Sequence, residues 1–430
     1  MWHTYHVLRS LRHGGLTKRL LFFIINRMKK KRLKHIQEQY DNNAMYREKF
    51  DRIQNAIQLR PVDRPPVALE YDILPARFAG ITAREYFFDQ KLGNEKYREA
   101  NRHFDFDGVF FPFAGVGALA EIADLKLLKF PGTEGLSDDQ MYQFVERTYM
   151  NISEYDDFLT DGSKYFGKIL LPQMVGLFQK RWPKFVYNLL KILFKLLSFS
   201  NNLMDCLNKT EAEGTVIFCG AIAGFSGAPY DYIADFFRGL RGISRDIHKI
   251  PEKVQLLANK IEPYMVLTAQ LMADVSGVKN IFMPLHRGDA NFLSFRQFEE
   301  IYWPSFKKLL LDLIDLDYVP MPSFEGYWTK EHFELFKAEL PKGKIIFNLD
   351  GPTDIFMAHD VLAGHSCIMG NVPHQLLVIS SPDKVKNYCR KVIDYFPEGG
   401  LIISPGIGLP QDSRLENVRA LVEVAKEAKK

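Results

Sequence analysis

The sequence predicts an α/β fold, a (β/α)8 TIM barrel with an N-terminal helical extension and an inserted helical segment between strands 2 and 3. Eight short apolar runs end in Gly, Pro, Asn or Asp, and most of the later intervals between them carry a helical pattern. Continuous apolar strands that alternate with helices are typical of a parallel sheet covered on both faces. The chain has 430 residues, 47% of them hydrophobic, which suffices for one large core or for two ordinary domains.

The predicted strands follow one another with room for a helix after most of them. Pro251 and Pro382 stand where two such helices begin, and residues 295–314 and 415–428 are two further amphipathic segments. The interval from residue 129 to 214 is too long for one crossover, so a helical insertion is predicted at about residues 131–213. The barrel is predicted over residues 48–430, after a basic helical extension of residues 1–47. Its strands are expected at residues 66–70, 108–112, 215–219, 279–285, 318–324, 344–348, 366–369 and 401–404.

The basic charge of the chain is concentrated at its beginning. Ten Lys and Arg residues and no acid precede Glu38, whereas the whole chain has a formal net charge of only +4. The apolar core LLFFII within residues 16–33 is too short for a signal peptide or a membrane span. The extension is interpreted either as a contact with a membrane surface or acidic partner, or as a helix packed on its own chain or a sister subunit.

A second unusual stretch, residues 182–199, reads WPKFVYNLLKILFKLLSF. Lys184, Lys191 and Lys195 lie near one face of a helix, and apolar residues fill the rest. It is predicted to be a lid, an interface helix, a membrane-surface helix or a mostly buried helix with its lysines in water. Residues 1–36 and 182–199 are therefore the candidate contacts with a membrane surface or another subunit, and a homodimer is one such arrangement.

Several classes of protein find no support. The four cysteines show no paired spacing, which argues against a disulfide framework or a zinc knuckle and predicts a cytoplasmic protein. The glycine-rich run after residue 219 has neither the P-loop nor the dinucleotide-binding pattern. Basic residues interleaved with aromatic residues are absent outside the extension, so nucleic acid is not expected as a partner.

Polar residues follow the predicted strands, at the end of a barrel where active sites form. His286, Glu325 and Asp350 follow predicted strands 4, 5 and 6. The alternative interpretations are structural: Asp350 starts a turn at Gly351-Pro352, Asp354 caps the next helix, and His286 with Arg287 forms an ion pair. The candidates for substrate binding at the same end are Glu70, Tyr71, Phe113, Tyr230, Arg287, Tyr327, Trp328 and Asn371.

The C-terminal part of the chain resembles the uroporphyrinogen decarboxylase superfamily. The resemblance rests on IMGNVPHQLLVISSPDKVKNYCRKVIDYF, on GGLIISPGIGLPQDSRLENVRALVEVAKE and, near residue 60, on RPVDRPPVALE. It extends over residues 48–430 and implies a (β/α)8 barrel. True uroporphyrinogen decarboxylases carry Met-Arg-Gln-Ala-Gly-Arg after strand 1, where this chain has LEYDILPARFAG and keeps one cation, Arg77, beside Glu70 and Asp72.

The resemblance is therefore closer to the corrinoid-dependent methyltransferases of the superfamily. Their thiol-activating members bind zinc through His-x-Cys after strand 6 and Cys after strand 8, where this chain has Asn348, Asp350 and Ile407. That soft zinc site is absent as such. His286, Glu325 and Asp350 are the alternative ligands for a zinc ion that acts as a Lewis acid, and the same three residues are the catalytic candidates.

The predicted function is methyl transfer between a small substrate and the corrinoid (cobalamin) of a partner protein. The first alternative is a lyase, namely a decarboxylase of a tetrapyrrole or of a small carboxylic acid. The second alternative is a barrel without catalytic activity that serves for binding.

Overall fold

A computed structural model describes residues 16–133, 135–222 and 227–428. Residues 1–15 of the predicted basic extension lie outside the described residues, as do residues 223–226 of the glycine-rich run. None of the helices in the described part of the chain is long and apolar enough to cross a membrane.

The strands lie at or beside every predicted position. Two short antiparallel strands, β3 and β4, were not expected; they lie in the region predicted to be a helical insertion. The strands are β1 (Ala68–Leu69), β2 (Gly108–Phe110), β3 (Leu128–Lys129), β4 (Gln143–Phe144), β5 (Val216–Cys219), β6 (Ala221–Ile222), β7 (Asn280–Leu285), β8 (Val319–Phe324), β9 (Ile346–Leu349), β10 (Cys367–Asn371) and β11 (Leu401–Ser404).

Apart from β3 and β4, all paired strands are parallel. One sheet has the order β1-β2-β5, and the other has the order β11-β10-β9-β8-β7-β6. Only Gly220 separates β5 from β6, and at the other edge Val67 forms a parallel bridge with Ile403, whose N–H donates to Pro66 O at 2.9 Å. The predicted parallel α/β architecture is confirmed.

Helices fill the intervals between the strands. They are α1 (Leu16–Asn42), α2 (Ala44–Ile57), α3 (Leu74–Ala79), α4 (Ala83–Phe88), α5 (Gln90–Phe104), α6 (Val116–Ala123), α7 (Tyr155–Thr160), α8 (Gly162–Tyr165), α9 (Leu171–Met174), α10 (Trp182–Ala212), α11 (Pro229–Ile233), α12 (Gly239–Lys249), α13 (Pro251–Ser276), α14 (Phe295–Gln297), α15 (Trp303–Asp315), α16 (Lys330–Glu339), α17 (Ile355–Leu362), α18 (His374–Val378), α19 (Pro382–Tyr395) and α20 (Leu415–Glu427). Single π-helical turns follow α8, α11 and α14.

Two apolar layers surround the parallel strands. The larger packs one face of the strands against the helices, whereas the smaller, called the inner layer, joins side chains on the opposite face to α2. Cys367 belongs to the inner layer and is fully buried. The side chains that the strands contribute to the inner layer are Ala68, Phe110, Val216, Phe218, Cys219, Phe282, Met321, Ile346, Cys367, Met369 and Ile402.

The described part of the basic extension packs on its own chain. Arg32 of α1 is buried and donates to both carboxylate oxygens of Glu211 in α10, at 2.7 and 2.8 Å. Its Nε also donates to Ser276 O at 2.9 Å, and Lys29 forms a salt bridge of 2.5 Å with Asp274. This arrangement corresponds to the interpretation of α1 as a helix that packs on the body of the protein.

Candidate active site

The loops after β7 and β8 bring His286 and Glu325 together. The Nε2 atom of His286 lies 3.4 Å from Glu325 Oε1. Both residues directly follow a strand that is buried along almost its whole length, so the strand pairing fixes their separation. Asp350, which follows β9, lies close enough for its charge to raise the pKa of Glu325. The structure thus brings the first two predicted catalytic residues into contact and places the third beside them.

Two aspartates that the sequence analysis did not select hold His286 in place. Asp235 Oδ2 lies 2.5 Å from His286 Nδ1, and Asp231 accepts the backbone N–H groups of His286 and Arg287 at 3.0 and 3.1 Å. Tyr302 donates its hydroxyl to Asp231 at 2.9 Å. Asp231 and Asp235 are four residues apart at the start of the helix after the glycine-rich run, so they share one helix face. This spacing was the only sequence signal for them.

The acids around His286 keep it protonated at neutral pH. Burial alone would lower the pKa of the imidazole, but its hydrogen bond with Asp235 and the charges of Glu325, Asp235 and Asp231 raise the pKa to about 9. The Asp235 carboxylate also fixes the orientation of the ring. His286 therefore presents a proton on Nε2 toward Glu325.

Burial has the opposite effect on the nearby carboxyl groups. It raises the pKa of Glu325 to about 7, an increase that His286 reduces and Asp350 reinforces. Burial also raises the pKa of Asp72 to about 7 and, with the charges of Asp72 and Glu325, raises that of Glu70 well above its usual value. Glu70 Oε2 and Asp72 Oδ1 have no hydrogen-bond partner among the described residues. We call Glu70, Asp72, His286 and Glu325 the acid cluster.

A tyrosine from the insertion also faces the acid cluster. The charges of Asp72, Glu70 and Glu325, together with burial, raise the pKa of Tyr142 well above its usual value. Tyr142 precedes β4, and its ring lies parallel to that of Phe113 with 6.4 Å between the ring centroids. Tyr142 could not be predicted from the sequence, because no sequence pattern shows that a residue of the insertion lies beside the end of a strand.

Four of the predicted binding residues have structural partners instead. The Tyr71 hydroxyl donates to Asn101 in the core, because Tyr71 points away from Glu70 and Asp72. Trp328 is fully buried, and its indole N–H donates to Glu325 O at 2.8 Å. Tyr230 is buried against Tyr302, with the ring centroids 5.4 Å apart.

Asn371 is the fourth of these residues. It donates to Thr353 O at 2.6 Å and accepts from the hydroxyl of Tyr388 at 2.7 Å. With both ends of its amide engaged, Asn371 holds the loop after β9, and its role in substrate binding stays a prediction.

The remaining binding candidates lie nearer the surface. Tyr327 is 47% exposed, and Phe113 is half-buried beside Tyr142. The guanidinium of Arg287 lies 5.0 Å above the ring of Phe292 and 3.6 Å from Asp235. These side chains remain candidates for contact with a ligand.

Asp350 makes the predicted turn at Gly351 and also lies near Glu325. Its Oδ1 atom accepts from Gly351 N at 2.7 Å, as in a turn, while its charge acts on Glu325. Asp354 caps α17 by accepting from Phe356 N at 2.9 Å, as predicted. His374 Nε2 lies 3.9 Å from Asp350 Oδ1, which is too far for a hydrogen bond.

The prediction that His286, Glu325 and Asp350 bind a zinc ion stays a prediction. Among the residues that the structure describes, no three His, Cys, Asp or Glu side chains converge as metal ligands do. His286 uses Nδ1 for Asp235, and Asp350 uses its carboxylate for the turn at Gly351.

The raised pKa of Glu325 is expected to make the stability of the protein depend on pH. A carboxyl group with a pKa of about 7 in the folded state and about 4.3 in the unfolded state stabilises the fold when protonated. This stabilisation is fully present when the pH is below the pKa of the unfolded state, and it is lost as the pH rises through the folded-state pKa of about 7. We therefore expect Glu325→Gln to reduce the fall in melting temperature between pH 5 and pH 8. Glu299→Gln, at an exposed glutamate, is the control, and an equal fall in both variants would contradict the assignment.

The fold and the site together define a class of protein. Parallel strands covered by helices, with titratable side chains at their carboxyl ends, are typical of α/β proteins that bind ligands at that edge. A family model described as uroporphyrinogen decarboxylase (URO-D) matches residues 209–428, slightly more than half of the chain. The protein belongs to the uroporphyrinogen decarboxylase family, as the sequence predicted.

A solved structure has a similar fold. It is a methyltransferase from Methanosarcina mazei, with a TM-score of 0.60 and 14% sequence identity, and the similarity covers 87% of this chain and 97% of that chain. At this identity the similarity shows the fold alone. The comparison with curated proteins finds no match.

Proposed function

We propose that this protein is a barrel enzyme that transfers a methyl group between a small substrate and the corrinoid of a partner protein. The observation that carries the proposal is the contact between His286 and Glu325 at the carboxyl ends of the strands, beside the carboxyl groups of Glu70 and Asp72, each of which has one buried oxygen. Such a cluster provides a general acid for a leaving group that must take up a proton.

Closure of the barrel is part of the proposal. Strands β1, β2, β5, β7, β8, β9, β10 and β11 all contribute to one inner apolar layer. The bridge between Val67 and Ile403, and the continuation of β5 into β6 past Gly220, are the pairings that would join the two sheets. A closed barrel would place the acid cluster in the ring of loops where TIM-barrel enzymes bind their substrates.

The reaction requires a proton at a defined place. When the bond between the methyl carbon and the heteroatom of the substrate breaks, the electron pair remains on the heteroatom, which takes the proton from His286 Nε2. Asp235 holds the imidazole for this transfer, and Glu325 lies where it can return a proton to the ring. The corrinoid of a bound partner protein would supply the acceptor for the methyl group. Phe113, Tyr142 and Tyr327 are the proposed aromatic wall for the substrate.

Uroporphyrinogen decarboxylation is a weaker interpretation of the same site. A substrate with many carboxylates needs cations, but Arg77 donates to the backbone carbonyls of Gln411 and Ser413. The groups that point inward near it, Glu70 and Asp72, are acids. We therefore prefer an uncharged methylated substrate, such as a methoxylated aromatic compound or a methylamine in its neutral form.

The test is a reconstituted assay with a purified corrinoid protein. We expect methoxylated aromatic compounds or methylamines to change the absorption spectrum of the reduced corrinoid only when this protein is present. A matched incubation with uroporphyrinogen measures the release of carbon dioxide. Turnover of uroporphyrinogen without any methyl transfer would overturn the proposal and favour the decarboxylase.

A further inference from the structure

The first two-thirds of α10 lies outside the core. The buried residues of this helix of 31 residues are Cys206, Leu207, Thr210 and Glu211, all near its end. The earlier part exposes large apolar side chains, whereas soluble proteins rarely expose such side chains in a contiguous patch. Their exposed fractions are 74% for Trp182, 67% for Tyr187, 50% for Leu190, 49% for Leu193, 72% for Phe194 and 65% for Leu197.

The stretch of chain that leads into this helix and forms its first two-thirds carries only positive charges. From residue 162 to residue 204 the chain has seven Lys and Arg residues and no Asp or Glu. Lys184 and Lys191 are exposed, and Lys195 is half-buried. A helix that exposes apolar side chains, and whose stretch of chain from residue 162 to 204 carries only positive charges, is complementary to a membrane surface with negative headgroups and an apolar interior.

The beginning of the helix forms a basic hollow. A cavity of about 790 Å³ is lined by Lys180, Arg181, Pro183, Lys184, Tyr187 and Asn188. Beside it, the rings of Trp182 and Phe185 are stacked with 6.2 Å between their centroids. Lys and Arg attract phosphate groups, and Trp and Tyr are enriched where hydrocarbon meets water.

We propose that residues 182–197 dock on the surface of a membrane that contains anionic phospholipids. The helix lies parallel to the membrane plane, with its apolar side chains among the upper acyl chains and its lysines at the headgroups. A second copy of the chain fits less well, because two such helices would bring rows of lysine together. Three lysines within the apolar stretch exclude a spanning orientation, in keeping with the lack of any described helix able to cross a membrane.

Sedimentation of the full-length protein with vesicles tests the proposal. We expect binding to phosphatidylcholine vesicles that contain 30% phosphatidylserine, weaker binding in 0.5 M salt, and little binding to pure phosphatidylcholine. Each lysine near an anionic surface changes the affinity by about fivefold. The triple variant Lys184→Gln, Lys191→Gln, Lys195→Gln is therefore expected to bind about 100-fold more weakly.

Two further variants test whether vesicle binding depends on this helix or only on the positive charge of the protein. Lys249→Gln, Lys344→Gln, Lys384→Gln removes three exposed charges elsewhere and is expected to reduce binding much less. Phe194→Gln, Leu197→Gln keeps every charge and should also weaken binding. An equal effect of the two triple variants, or no binding of the wild type to anionic vesicles, would overturn the proposal. Dimerisation through α10 without vesicle binding would overturn it in favour of a subunit interface.

Discussion

Asp107→Ala is expected to lower the free energy of unfolding by about 3 to 5 kcal/mol, because it leaves buried cations without their partner. The Asp107 carboxylate is buried and accepts from Arg52 at 2.7 Å and from Arg64 at 2.8 and 2.9 Å. It also accepts from Val67 N at 2.9 Å. One side chain thus joins α2, the entry to β1 and the start of β2, beside the bridge between Val67 and Ile403.

Asp63→Ala is the matched control for this prediction. Asp63 also accepts from Arg52, at 2.8 and 2.7 Å, but its side chain is 55% exposed. Exposed ion pairs contribute about 0.2 to 1 kcal/mol, so the control should remain close to the wild type. The measurement is urea unfolding followed by circular dichroism. Equal midpoints for the two variants would show that Asp107 does not hold the strands together.

The strands could be predicted from the sequence because they are buried on both faces. Continuous apolar runs such as residues 279–285 have few alternatives, and the structure places β7 at Asn280–Leu285. The hairpin of β3 and β4 could not be predicted in this way, since two strands of two residues each leave no periodic pattern. The own-chain packing of α1 depends on the pairing of Arg32 with Glu211, which are 179 positions apart. A pattern within one stretch of sequence cannot predict a contact between residues so far apart in the chain.

The candidate site could be predicted where it depends on strand ends. His286 and Glu325 each follow a strand directly, so the barrel prediction was enough to select them. Tyr71 was selected by the same rule, but its side chain points toward Asn101 in the core. The reason is that alternate residues of an extended chain point in opposite directions. The side chains of Glu70 and Asp72 point the same way as each other. Applying this alternation to the residues after β1 would have excluded Tyr71.

Other parts of the site depend on tertiary contacts alone. Asp235 lies 51 positions before its partner His286, and Tyr142 reaches the acid cluster from the insertion. The role of Asp350 was left open between a turn and an acid, and the structure shows both the turn and the influence on Glu325. The sequence thus predicted the groups that the strands carry, but not those that neighbouring elements bring to them.

His286→Gln is expected to lower the rate of methyl transfer by about 100- to 10,000-fold, the usual contribution of a general acid. Glutamine keeps a polar side chain of similar reach but cannot donate a proton to a leaving group. His248→Gln, at an exposed histidine of α12, is the control and should retain the wild-type rate. If the His286 variant kept more than a tenth of the activity, His286 would not be the proton donor.

The pH profile distinguishes a proton donor from a residue that only shapes the site. The protonated imidazole is the active form, so the wild-type rate should be constant at lower pH and fall as the pH rises through about 9. Glu325→Gln removes a negative charge that raises the pKa of His286, and the fall should therefore move to lower pH in that variant. Asp235→Asn should move it in the same direction, because the hydrogen bond with Asp235 also raises the pKa of His286. A profile that does not move in either variant would assign the proton to another group.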